Sequence, residues 1–138
     1  MYKSENELRK AIEQVFADCG WFTQKIESSG INTGIPDLFI NKNGLSVWLE
    51  LKLEKCKGPK QGTSIKVNWR PGQQVWHKLY LLSNPIVPVL TVIQYLDCII
   101  IVKGTKIYEG RTVTAGEYDR LLAPLYLPSY IDSMRMRI

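Results

Sequence analysis

The sequence holds a single histidine, three cysteines and no apolar run near the ~20 residues needed to cross a bilayer. With His77 alone, a histidine-based metal site or a Ser-His-Asp triad has little to build on. Cys19, Cys56 and Cys98 are odd in number, widely separated and without CxxC spacing, so they suggest neither a disulfide framework nor a thiolate zinc site. No Walker-type phosphate loop, GxGxxG, internal repeat or low-complexity segment occurs, and nucleotide-driven motor action is not indicated. Any metal is therefore expected on oxygen ligands. The start, Met1-Tyr2-Lys3-Ser4-Glu5, is not a signal peptide, so an intracellular protein without membrane contact is expected.

What is present is ordinary in amount and uneven in placement. The 138 residues, 45% hydrophobic and 22% charged, predict one domain over 1–138 with a genuine core. The net charge of +5 divides into −2 over residues 1–41, +6 over 42–78 and +1 over 79–138. A basic excess concentrated in one segment is what a polyanion such as nucleic acid would use, although a solvated basic loop has the same composition.

The basic segment adjoins the most informative stretch, Gly34 to Lys52. Leu38-Phe39-Ile40 and Leu45-Ser46-Val47-Trp48-Leu49 are short apolar runs joined by the turn-rich Asn41-Lys42-Asn43-Gly44, which predicts a β-hairpin. Antiparallel pairing would set the start of the first run beside the end of the second, bringing Asp37 and Glu50 together. Alternation along the strand puts Glu50 and Lys52 on one face and Leu49, Leu51 and Leu53 on the other. Charged groups in so apolar a segment need a partner. Two carboxylates at one point can hold a hard divalent cation, and a lysine beside them can stabilise charge developing on phosphate. Pro-Asp is also a common turn and Glu-Leu-Lys a common exposed-strand tripeptide, so the combination carries more than either part.

Pro36-Asp37 followed by Glu50-Leu51-Lys52 resembles the signature of the PD-(D/E)xK nucleases. Gly34-Ile35-Pro36-Asp37-Leu38 with Arg70-Pro71-Gly72-Gln73-Gln74-Val75-Trp76 resembles their VRR-NUC branch, over about Ser4 to Val92. The resemblance implies a restriction-endonuclease-like α/β core with a mixed sheet flanked by helices. It implies Mg²⁺, with Mn²⁺ able to substitute, held by Asp37, Glu50, the Leu51 carbonyl and a first-helix glutamate. Lys52 and a glutamine on the second helix would complete the catalytic set. The motif match selects Gln73, with Gln74 as the alternative. Compact members of this branch resemble Holliday-junction resolvases of phage or prokaryotic type, so a homodimer acting on four-way DNA junctions is expected, in the cytoplasm of a bacterium or of a phage-infected host. A flap, nicking or repair nuclease is the alternative within the class, and a non-catalytic DNA-binding module the alternative outside it.

Taken in order, Leu8, Ala11, Ile12, Val15, Phe16 and Cys19 keep the spacing of one buried stripe, predicting a helix from about Ser4 to Cys19 that ends at Gly20. Ser4 and Glu7 form a capping-box pattern. At ~100° per residue Glu5 lies about 50° from the stripe centre and Glu7 about 110°, which points Glu5 toward the sheet and leaves Glu7 to the cap. Trp21–Glu27 reads as a strand, and residues 28–34 as a connecting loop small enough to approach a phosphate. Glu54–Asn68 reads as an exposed, mobile loop carrying Lys55, Lys57, Lys60 and Lys66, which with Arg70 would grip a phosphodiester backbone. Trp69 could stack on a base or pack inside.

Pro71 opens a helix to about Leu82, expected to turn Val75, Trp76, Leu79 and Leu82 inward and to leave His77 at the surface or facing DNA. Ile86–Gln94 and Asp97–Val102 read as strands, followed by a turn at Lys103-Gly104-Thr105 into Lys106-Ile107-Tyr108, and Thr114 as the cap of a last helix through about Leu122. The tail, residues 123–138, carries Tyr126, Leu127, Tyr130, Ile131 and Met134, which suit either a dimer interface or packing back on the domain.

Overall fold

The computed structural model describes residues 2–26, 34–103 and 110–137. Helix α1 runs Glu5–Asp18, with Ser4 Oγ accepting the Glu7 N–H at 3.2 Å and the Glu7 carboxylate accepting the Lys3 N–H at 2.5 Å. Glu7 thus serves the cap. Leu8, Ile12 and Phe16 are fully buried on one stripe, each contributing about 1.5–3 kcal/mol by leaving water.

Strands β1 (Phe22–Lys25), β2 (Leu38–Lys42) and β3 (Leu45–Leu53) form an antiparallel meander. The β2–β3 turn is Asn43-Gly44 alone, with φ of 48° and 82°, the two-residue turn whose twist matches the strands. Asn41 and Lys42 still pair, with Ser46 and Leu45. A short strand β4 (Ile65–Lys66) precedes helix α2 (Pro71–Leu82), which crosses over to β5 (Val89–Gln94), parallel to β3. Strand β6 (Ile99–Lys103) is antiparallel to β5, and β7 (Thr112–Val113) pairs with β4 as a separate ribbon. Strand β8 (Tyr118–Leu121) completes a mixed six-stranded sheet in the order β1-β2-β3-β5-β6-β8, and helix α3 spans Leu127–Ser133.

One core lies between the sheet and α1 with α3, built from residues such as Phe16, Leu38, Leu49, Leu51, Val92, Leu127 and Ile131. A second, on the other face, gathers Ile65, Val67, Trp69, Ile93, Ile100, Val102 and Val113 under the β4–β7 ribbon. The tail therefore packs back through Leu127 and Ile131, while Leu122, Leu125 and Tyr126 stay exposed.

Four expectations need correction. Residues 115–121 are one 3₁₀ turn (Ala115–Glu117) and a strand, because pairing with β6 outweighs local helix preference, although the Thr114 N–H and hydroxyl do reach Glu117 Oε1 at 3.1 and 2.7 Å. Segment 54–68 is not simply a loop. Ile65 and Val67 are buried, Leu96 N–H donates to the Cys56 carbonyl (2.9 Å), Gly58 N–H to Asp97 Oδ1 (2.7 Å) and the Tyr118 hydroxyl to the Thr63 carbonyl (2.7 Å). Helix α2 does not present the face expected: Val75, Leu79 and Leu82 are 58%, 63% and 68% exposed and Gln73 and His77 are its buried residues, while Trp76, also expected inward, is half-buried with its ring edge-on to Trp48 of β3 at 5.9 Å. His77, accordingly, is interior. The reason is the surface beneath α2, which is the polar part of β3. Residues 28–33, Glu27 and the turn expected over 104–108 lie outside the described residues. Among the described residues no helix is long and apolar enough to cross a membrane.

Candidate active site and metal centre

The site forms where β2 begins, β3 ends and α2 starts. Gly34 has φ of 74°, and a Cβ there would lie 2.0 Å from the Gly72 carbonyl oxygen. Only glycine permits that approach, which sets the chain before Asp37 against the first turn of α2. Leu38 pairs with Leu49, so Asp37 comes beside Glu50, and Asp37 Oδ2 accepts the Leu51 N–H at 2.8 Å.

Glu50 is 1% exposed. Burial, then the adjacent Asp37 charge, push its pKa from the usual 4.5 up to about 9, against the pull of Lys52. Gln73 bridges the two ionisable side chains of β3. Its Nε2 donates to Glu50 Oε1, and its Oε1 accepts from Lys52 Nζ at 2.8 Å and from the Arg70 N–H at 2.8 Å. The Gln73 amide thus reaches both the carboxylate and the lysine.

Glu5 lies at the mouth of a shallow cleft of about 180 Å³ that it lines with Asn6, Arg9, Asp37 and Leu51. Partial burial raises its pKa, Lys52 opposes that rise and Asp37 adds to it. Asp37 and Lys52 thus act on both glutamates with opposite sign, the carboxylate raising their pKa and the ammonium lowering it.

Lys55, Lys57, Lys60, Lys66 and Arg70 are all exposed on the segment leading from β3 to α2. Trp69 is not available for stacking on a base: it is 1% exposed and its Nε1 donates to Thr91 Oγ1 at 3.2 Å. Thr91 is the cross-strand neighbour of Glu50. The Trp69–Thr91 bond anchors the residues just before α2, and with them Gln73. The sequence carries a signal for Thr91 that went unread, a lone hydroxyl in the aliphatic run Val89-Leu90-Thr91-Val92-Ile93. A buried strand keeps such a group only if it has a partner.

The donor set suits a hard divalent cation. Glu50 Oε2 is buried without a hydrogen-bond partner among the described residues, next to a second carboxylate, an arrangement that a cation relieves. Among the described residues no three His, Cys, Asp or Glu side chains converge into a cage. Mg²⁺ does not require one, since it is commonly held by one or two carboxylates and keeps several waters. Asp37 and Glu50 would hold it, with the Leu51 carbonyl and Glu5 at the cleft side.

No family profile matches the chain, and no curated protein does. Among solved structures, Hjc from Archaeoglobus fulgidus, described as a Holliday junction resolvase from an archaeal hyperthermophile, superposes with a TM-score of 0.57 over 89% of this chain and 96% of that chain, at 8% sequence identity. The fold is therefore the mixed α/β, restriction-endonuclease-like core that the resemblance implied.

Proposed function

We propose that the chain is a metal-dependent, structure-selective DNA endonuclease of the PD-(D/E)xK type, VRR-NUC-like, that cuts four-way junctions as a homodimer. The observation that carries this reading is the convergence of Asp37, Glu50, Lys52 and Gln73 at one point of a resolvase-like sheet. Mg²⁺ or Mn²⁺, when bound, would polarise the scissile phosphate and lower the pKa of an attacking water. The chain's own groups do the rest. Asp37 is oriented by the Leu51 N–H, Glu50 by Gln73, and the Lys52 ammonium is held by Gln73 where it can stabilise negative charge building on phosphate. Lys55, Lys57, Lys60, Lys66 and Arg70 would hold the DNA backbone without reading bases, which suits recognition by shape.

The homodimer draws support from α2. Val75, Leu79 and Leu82 form an exposed stripe at i, i+4 and i+7 of the helix, and Ile86, 98% exposed, follows four residues after its end. A two-fold axis through such a stripe lets the same residues meet on both copies, and symmetric cutting of a junction needs two sites related in that way.

The test is cleavage of an immobile four-way junction beside linear duplex, flap and single-strand controls, in Mg²⁺, Mn²⁺ or EDTA. Paired nicks on opposing strands that need metal and are lost in Asp37→Asn support the proposal. Flap or duplex cutting would keep the nuclease and discard the resolvase, and metal-independent binding with no cutting would leave a DNA-binding module.

A further inference from the structure

The lysine-bearing segment between β3 and β4 is exposed in its side chains and fixed in its backbone. Four bonds from residues far along the chain pin it. Leu96 N–H donates to the Cys56 carbonyl (2.9 Å), Gly58 N–H to Asp97 Oδ1 (2.7 Å), the Arg120 guanidinium to the Pro59 carbonyl and the Tyr118 hydroxyl to the Thr63 carbonyl (2.7 Å). Gly58 is pressed against the β5–β6 turn, since a Cβ there would lie 2.3 Å from Cys98 Sγ and 3.2 Å from Asp97 Oδ1. Lys57 stands between the pinned Cys56 and Gly58. Lys60 follows the pinned Pro59, and its carbonyl accepts the Thr63 N–H at 3.2 Å.

These pins share one edge of the sheet with the site. Leu53 pairs with Gln94, Gln94 with Ile99 and Ile99 with Leu121, so the end of β3, the end of β5, the start of β6 and the end of β8 lie side by side, and Glu50 and Lys52 stand near that end of β3. From β3 to β8 is three strand intervals, ~14 Å at ~4.8 Å each. At a rise of ~3.4 Å per nucleotide, that length spans about four phosphates of one duplex strand. Asp97 is the odd member of this edge: it is an exposed carboxylate bonded into a segment that carries Lys57 and Lys60, and by charge alone it would repel phosphate. Its bond is its use. The Gly58 N–H holds the Asp97 carboxyl below its usual pKa, so the acceptor is ionised at any ordinary pH.

We propose that residues 55–60 are a preformed track for the phosphates of one DNA strand, leading from the metal site along the ends of β3, β5 and β6 toward β8, and that Asp97 is the positioning residue that holds the track through the Gly58 N–H. A fixed backbone spares the ordering that a loose loop must undergo on binding, so the clamp adds affinity without touching DNA. The inference rests on the nuclease reading for its ligand and on the pinned backbone for its geometry.

The experiment compares full-length wild type with Asp97→Asn, which removes the charge and keeps an acceptor oxygen, and Asp97→Ala, which removes both. Junction binding in EDTA is followed by fluorescence anisotropy over a range of salt, and Gly58 amide exchange by NMR without DNA. Charge alone predicts that both variants bind more tightly than wild type, because each loses a negative charge beside the lysines. The clamp predicts that they part. Asp97→Asn should bind as tightly as wild type or up to about threefold more tightly, with Gly58 still protected, whereas Asp97→Ala should bind about three- to tenfold more weakly, with Gly58 exchanging at least about tenfold faster. An Asp97→Ala protein that binds as tightly as Asp97→Asn would overturn the proposal, as would unchanged Gly58 exchange. Phosphate ethylation interference tests the path: about four consecutive phosphates on one side of the cut should be sensitive, and their insensitivity would remove the track. A wild type with no salt-dependent junction binding overturns the nuclease reading and the track together, and is seen before any variant is compared, while Gly58 exchange still reports on the clamp alone.

Discussion

Replacing Glu50 by Gln should stabilise the metal-free protein while abolishing cleavage. In the folded chain burial and Asp37 raise the Glu50 pKa from 4.5 to about 9. Between those values the folded state holds a proton that the unfolded state has released, so the wild type loses stability as pH rises, at about 1.4 kcal/mol per unit. Glutamine is neutral and similar in shape at every pH. At pH 7 the variant should therefore be the more stable by up to about 3 kcal/mol, on the order of 10 °C in Tm for a domain of this length. The gap should shrink below about 1 kcal/mol at pH 5 and widen toward pH 9. His77, whose depressed pKa weakens the fold as pH falls from 6.5 through about 4, is common to both proteins and cancels in the difference. Urea unfolding in EDTA at pH 5, 7 and 8.5 measures it. Adding divalent cation should raise the wild type, by about 2.7 kcal/mol at a hundred times Kd, and leave the variant largely unmoved. A Glu50→Gln protein less stable than wild type at pH 8.5 would refute the reasoning, because it would mean that the folded state favours the charged carboxylate.

Three other perturbations follow from the geometry. Lys57→Ala with Lys60→Ala should weaken DNA binding and reduce the slope of log K against log salt by up to about two units, measured by fluorescence anisotropy, and an unchanged slope would place the DNA elsewhere. Leu79→Glu should yield a folded monomer by sedimentation analysis and turn paired junction cuts into uncoordinated nicks, whereas an unchanged mass would remove α2 from the interface. Gly34→Ala should lower Tm and cleavage together, since its Cβ would meet the Gly72 carbonyl at 2.0 Å. Equal activity and stability would show that α2 can retreat without cost.

The hairpin and the residues on it were legible because their determinants are local. Asn43-Gly44 dictates a two-residue turn, the strand period of two puts Glu50 and Lys52 on one face, and antiparallel pairing then brings Asp37 to Glu50 whatever the rest of the chain does. Helix α1 was legible for the same reason, through its single apolar stripe and Ser4 cap. What could not be read depended on partners far along the chain. Tyr118–Leu121 is a strand because β6 offers an edge, and Trp69 is interior because β4, Val67 and Val113 build a second core around it. No window of sequence near either contains that information.

Helix α2 failed for a different reason. Its periodicity was read correctly and its orientation was not. The rule that the apolar face of a helix turns inward assumes that the surface beneath it is apolar. Beneath α2 lie Glu50, Lys52 and Thr91, a polar strip left on the sheet by the site itself, so the face that packs there is the one carrying Gln73 and His77. Val75, Leu79 and Leu82 are turned outward as a consequence. The same difference thus gives the site an amide that spans Glu50 and Lys52 and gives the molecule an apolar surface on the same helix. Anything that covers that surface bears on α2, and through α2 on Gln73, so an association of two copies there would be joined mechanically to the geometry of each site by one twelve-residue helix.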